Sequence, residues 1–295
     1  MQGILGAYRA ARSRLDRLAS DFGAIEQQIE QALRGDGPAS MPFASIRQVE
    51  IRCFGPFEVR VDGETLSLPS GGKAVAVLKL LAARGGASVP RDVLLERLWP
   101  EADPAAGANR LRVAVHALRR MLASLDVELV TFADGAYRLS TQAGVLIDAD
   151  EFERCWQRAL RLDAEGHPDE ATEACREAER LYRGDYFEDD AFEEWALVRR
   201  EYLRDVYLNV LVRLAERAHE RGEQGACIQR CHAILREDPC NEEAYRLLMS
   251  SHAQRGQRAR ALRWYAVCER TLRDELDASP APATLELRNR IVQGG

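Results

Sequence analysis

The chain has 295 residues, 46% of them apolar and 30% charged, with a formal net charge of −6. That length suffices for two or three domains that each bury a core, and no run approaches the roughly 20 apolar residues of a membrane span. Seven scattered cysteines exclude the dense disulfide framework of a small secreted domain. With no apolar leader before a small-residue cleavage site, the protein is expected to be cytoplasmic, with reduced thiols.

Charge divides the chain. Residues 1–45 balance at 0, residues 46–142 at +2 and residues 143–295 at −8, so a polyanion would meet the middle segment rather than the last. Within residues 1–36, Ile4, Tyr8, Ala11, Leu15, Leu18, Phe22, Ile25 and Ile29 follow one another at steps of four and three. This is a heptad seam, ended by "GDGPAS". It reads either as a self-associating coiled coil or as an amphipathic helix laid on the protein's own body.

From residue 46 the period becomes two. Val49, Ile51 and Cys53, then Phe57, Val59 and Val61, alternate with polar residues around "GP" and "DG", the pattern of short antiparallel strands with tight turns. Three helical stretches follow: "GGKAVAVLKLLAARG", "PRDVLLERLWP", and "GANRLRVAVHALRRML" after the loop "EADPAAGA". "VELVTFADGAYRLST" then reads as a hairpin turning at "ADG". Strands, three helices and a hairpin predict a winged helix over 46–142.

The third helix carries the chemistry. On a wheel of 100° per residue, Leu111, Val115, Leu118 and Leu122 fall within about 60° of one another, a buried stripe. Asn109, Arg112, His116, Arg119 and Arg120 share a band between about 80° and 180°, while Arg110 lies apart. Such a band suits the major groove of B-DNA, where Arg grips guanine bidentately and Asn pairs with adenine; the remaining arginines would meet phosphates.

Beyond about residue 148 no strand signal remains. Gly222 and Gly256 are 34 apart, and around them Leu214 matches Leu248, Cys227 matches Ala261, Cys231 matches Tyr265 and Ile234 matches Cys268. That period predicts stacked helical hairpins of the tetratricopeptide kind. Gly166 and Ala171 mark an earlier unit, separated by the insertion "YRGDYFEDDAFEEWALVRREYL". The predicted architecture is thus an α+β winged helix, then an all-α tetratricopeptide-like repeat domain over 146–293, with an extra N-terminal helix.

Other motifs add no chemistry. "SGGKAVAV" lacks the glycine and the Ser or Thr of a phosphate loop. Cys227, Cys231, His232 and Cys240 invite a zinc site, but the first two occupy packing slots of the repeat, where Cys serves as a small hydrophobe, and helical spacing sets no His beside a nucleophilic Cys. Acidic runs such as "FEDDAFEE" read as solvated faces. No catalytic constellation appears, so no enzyme, metal or cofactor is expected.

"LRVAVHALRRML" after "LLERLWPEADPAAGAN", closed by "GAYRL", resembles the DNA-binding domain of SARP-type transcription activators, an OmpR-like winged helix. "DADEFERC", "AERLYRGDYFEDDAFEEWALVRREYLRDVY" and "REDPCNEEAYRLLMSSHAQRGQRARALRWYAVCERTLRDEL" look like the bacterial transcriptional activator domain that follows it in that family. Asp277 replaces the family's glycine after "DEL", and the heptad segment is not part of the usual pattern. The resemblance implies a regulator, an activator above all, that binds promoter direct repeats in double-stranded DNA as a side-by-side homodimer and recruits RNA polymerase. It implies Arg112, His116, Arg119 and Arg120 in the groove, Arg138 on the wing, a polymerase-facing loop at 101–108, and Lys73 at the start of the first helix, where backbone amides also suit a phosphate. A small-molecule or protein effector on the repeat domain is a further expected partner. The near-neutral charge of residues 46–142 leaves a second reading: a repeat scaffold or ligand sensor whose winged helix meets protein.

Overall fold

A computed structural model describes residues 48–69, 71–123, 128–140 and 144–294; the N-terminal heptad segment lies outside the described residues. Two sheets frame the first part. Strands β1 (Gln48–Arg52), β2 (Glu58–Val61), β3 (Glu64–Leu66) and β7 (Gly144–Ile147) form one sheet in the order β3-β2-β1-β7. Strands β4 (Val89–Pro90), β5 (Val130–Ala133) and β6 (Ala136–Leu139) form the other in the order β4-β6-β5. The first three strands are antiparallel, with Ile51 opposite Val59, and the expected alternation holds, since Val49, Ile51, Cys53 and Val59 are fully buried. Asp62 and Gly63 both adopt positive φ, the hairpin geometry that "DG" favours because both central positions must be left-handed.

Three helices lie between the sheets' strands in the chain: α1 (Lys73–Ala82), α2 (Arg91–Leu98) and α3 (Pro104–Met121). Strand β7, which the sequence reading leaves out, pairs parallel to β1 with Ile147 opposite Ile51. Its four residues are too few to show a period, and only the neighbouring strand selects their conformation.

Seven helices follow: α4 (Asp148–Ala164), α5 (Pro168–Leu181), α6 (Glu194–Glu220), α7 (Gln224–Glu237), α8 (Glu242–Gln254), α9 (Arg258–Leu276) and α10 (Pro282–Gln293). Helix α4 packs on α5, α6 on α7, and α8 on α9. Each hairpin turns through the same device. Gly166, Gly222 and Gly256 have φ of 82°, 73° and 69°; the next residue's N–H returns to a carbonyl five back, His167 to Leu162, Glu223 to Ala218 and Gln257 to His252. Glycine is favoured there because the helix closes on a left-handed residue. Ala171, Cys227 and Ala261 occupy the equivalent buried slot behind each turn. Gly166 and Gly222 lie 56 residues apart, one 34-residue period plus the 22 residues of the insertion at 182–203.

The insertion joins the two parts. Tyr186 forms a β-bridge with Phe54; Gly55 N–H donates to Asp185 O at 3.0 Å and Phe187 N–H to Cys53 O at 2.7 Å. The acidic run expected as a solvated face instead points partly inward: Asp189 accepts from Phe57 N–H at 3.1 Å, and Asp190 pairs with buried Lys79 at 2.5 Å. Lys79 also lies 5.1 Å from the Phe57 ring centroid, so its buried ammonium is neutralised and faced by an aromatic ring. Arg200 is buried and gives its guanidinium to the carbonyls of Tyr186, Phe187, Asp190 and Ala191. Across the junction, Asp148 accepts from Cys53 N–H at 2.7 Å and Phe54 N–H at 3.2 Å and pairs with Arg183 at 2.9 Å. Winged helix and helical domain therefore share one core, and residues 47–295 form a single compact unit. Among the described residues no helix is long and apolar enough to cross a membrane.

Candidate nucleic-acid interface

Helix α3 starts earlier than its sequence suggests. Asp103 caps it, accepting from Ala105 N–H at 3.1 Å and Ala106 N–H at 3.3 Å, and Pro104 fills the first turn. Aspartate satisfies otherwise orphaned amides while proline needs none, so the stretch read as a loop over 101–108 is helical from Pro104 onward, and only the turn from Trp99 to Asp103 separates α2 from α3. Gly107 is buried on α3, where an added Cβ would stand 3.5 Å from Leu95 Cδ2.

Leu111, Ala114, Val115 and Leu118 are buried, and Leu122 behind them closes the stripe. Opposite, Asn109, Arg112, His116 and Arg120 are exposed, and their side chains make no hydrogen bond or ion pair among the described residues. Arg110 is exposed on another face. Arg119 behaves differently: its Nη2 donates to Val130 O at 3.0 Å and pairs with Glu128 at 2.9 Å. It holds α3 to the hairpin instead of standing free in the band. The wheel misses this because it carries no information on where β5 lies.

One member of the exposed face escapes the sequence reading. Val113 is 61% exposed, an aliphatic side chain among cations at about 200° on the same wheel. Its signal was the lone apolar residue bordering a polar band, and an apolar surface there is suited to a thymine methyl.

The β5–β6 hairpin turns at Asp134 and Gly135, with φ of 52° and 75°. Phe132, 50% exposed, lies against Tyr137 with ring centroids 4.5 Å apart. Arg138 is exposed on β6 opposite Thr131. Lys73 opens α1 beside Trp99, with Nζ 5.9 Å from the ring centroid. Gly72 gives that helix no side-chain cap, leaving first-turn amides beside a cation. The structure thus gathers Asn109, Arg112, His116 and Arg120 on one face, sets Lys73 and Arg138 on separate elements, and turns Arg119 toward β5.

The repeat-domain thiols are placed differently. All seven cysteines are free, and no group of three or more potential metal ligands exists among the described residues. Cys227 lies 4.0 Å from Cys231, and Ser251 donates to Cys227 at 3.3 Å while His219 Nδ1 stands 3.1 Å from Ser251 Oγ. The histidine that helical spacing did not supply thus comes from α6, through Ser251. These hydrogen bonds, the Cys231 thiol's first, pull Cys227 below an ordinary thiol, but both sulfurs are fully buried, so the group is closed to a substrate.

Comparison with known proteins assigns both halves. Residues 64–139 match the family "Transcriptional regulatory protein, C terminal", and residues 147–292 match "Bacterial transcriptional activator domain". The two occur in the order that the resemblance requires. The chain belongs to the SARP-type transcription regulators. This SARP-type regulator is 26% identical over 249 residues to the transcriptional regulatory protein MoaR1 of Mycobacterium tuberculosis, covering 83% of this chain and 79% of that one. It is 27% identical over 240 residues to the regulatory protein AfsR of Streptomyces coelicolor, covering 81% of this chain but 24% of that one. The solved structure of Mycobacterium tuberculosis EmbR in complex with a low affinity phosphopeptide shares its fold, with a TM-score of 0.72 at 24% identity, over 84% of this chain and 65% of that one. The regulator therefore spans just under two thirds of EmbR's length.

Proposed function

We propose that this regulator binds promoter DNA by laying α3 in the major groove, and that it acts from the cytoplasm as a transcription activator. The carrying observation is the exposed face of α3, where Asn109, Arg112, His116 and Arg120 have no partner among the described residues. Partnerless guanidinia on a helix anchored by a buried stripe keep all their donors available on one face, the requirement for reading base edges. Arg138 on the hairpin and Lys73 at the α1 N-terminus flank this face as phosphate contacts. Arg119 positions the hairpin instead of reading a base.

Two copies side by side on a direct repeat, with the α2–α3 turn offered to RNA polymerase, complete the proposal; domain order and family membership support it. The test is a mobility-shift titration with duplexes enriched by in vitro selection. Joint replacement Arg112→Ala and His116→Ala is expected to weaken binding by at least about tenfold, and wild-type affinity to fall steeply with salt. Equal binding by the variant sinks the assignment of α3.

A further inference from the structure

A cavity of about 480 Å³ opens among α7, α8 and α9, a size ordinary for small-molecule sites. Arg255, Arg260 and Arg263 stand around it, and the residues lining it include no carboxylate. The side chains of Arg255 and Arg263 make no ion pair or hydrogen bond among the described residues, and that of Arg260 reaches only Gln257 Oε1, at 3.4 Å. Many other arginines of this acidic domain are neutralised: Arg199 by Glu153, Arg213 and Arg217 by Asp163, Arg230 by Glu179. Three guanidinia left together where carboxylates are in excess create a local positive potential that the net charge conceals.

The rest of the lining is of another character. Trp264 is half-buried, with Ile228 and Val267 beside it. His232 meets the Trp264 ring edge-on, with centroids 5.2 Å apart, and His252 is held by Gln257 at 2.9 Å. On α9, Arg260, Arg263, Trp264 and Val267 recur at steps of three, one and three, so they share a face. That face of α9 therefore sets two guanidinia directly beside an indole and an aliphatic side chain.

We propose that this cavity binds a nucleoside polyphosphate, with the phosphates on Arg255, Arg260 and Arg263 and the base on Trp264. Three forked donors match several phosphate groups better than one, and an indole flanked by aliphatic side chains is a stacking platform for a planar ring. The site is separate from α3, and its test does not depend on DNA binding.

Calorimetric titration of the whole chain with ATP and GTP, with inorganic tripolyphosphate and with adenosine tests it. At least one nucleotide is expected to bind saturably, tripolyphosphate more weakly, and adenosine not measurably. Arg260→Ala with Arg263→Ala is expected to cost both anions at least about tenfold, and Trp264→Leu to cost the nucleotide at least about fivefold while sparing tripolyphosphate. The arginines are exposed, so an unchanged melting temperature should accompany the double variant. Failure of both nucleotides to bind at millimolar concentration, or unchanged binding in the arginine variant, overturns the site. Tripolyphosphate binding as tightly as the nucleotide overturns the base contact.

Discussion

Arg112 and Arg119 lie two turns apart on one helix and have different surroundings: Arg112 is exposed and unpaired, while Arg119 is bound to Val130 O and Glu128. A guanidinium already engaged must break those contacts before it can read a base, whereas a free one loses only hydration and rotamer freedom. Arg112→Ala is therefore expected to cost about 1–3 kcal/mol of binding and to relax discrimination at one base pair. Arg119→Ala is expected to cost less and to leave sequence preference intact, since the exposed pair it breaks is worth about 1 kcal/mol or less. Competition binding against single-base variants of the selected site separates the two outcomes. Arg200 is the residue-scale counterpart in the helical domain. Lysine cannot span the four carbonyls that its guanidinium holds, so Arg200→Lys should lower stability by about 1–3 kcal/mol and expose residues 186–191 to limited proteolysis.

Among elements, the 22-residue insertion does the joining, and its end at Arg183 meets Asp148 at the start of α4. Burial pushes Asp148 up to about 6, against the N–H groups of Cys53 and Phe54 and the Arg183 guanidinium, which pull it down. A carboxyl raised in the fold contributes most stability below its free value near 4 and loses that contribution as pH rises through about 6. The stability of wild type minus that of Asp148→Ala should therefore fall between pH 4 and pH 7. It should stay positive at pH 7, because the alanine leaves two buried N–H groups and Arg183 unsatisfied; denaturant titrations at the two pH values measure both. Where local chemistry decides structure, the sequence is readable: "DG" turns take left-handed φ, Val49 and Ile51 face the core, and Gly222 and Gly256 close equivalent turns. The buried stripe of α3 and most of its exposed band are legible for the same reason, a fixed period. What periodicity cannot show is contact over long sequence separation: β7 against β1, Asp190 under Lys79, Arg119 on β5. The "FEDDAFEE" run is largely solvated as read, with Glu188, Glu193 and Glu194 exposed, but its polar composition does not show that Asp190 faces a buried ammonium.

At the scale of the whole molecule, charge by segment points to the winged helix, yet its balance of +2 is small. The argument rests on arrangement: acids of this segment engage neighbouring groups, such as Glu50 on Arg52 and Asp103 on the α3 amides, while one face of α3 keeps its cations free. The −8 of the helical half conceals the arginine-lined cavity in the same way. The winged helix and the helical domain share a core and meet through Asp148, Lys79 and the insertion, and α4 follows β7 with no residue between them. The most direct measurement is equilibrium binding of the whole chain, wild type and Arg112→Ala/His116→Ala, to a duplex obtained by in vitro selection. The account predicts a direct-repeat site bound by the wild type, with at least about a tenfold loss in the variant. Selection that enriches no sequence, or a variant that binds the enriched site as tightly as wild type, would contradict it.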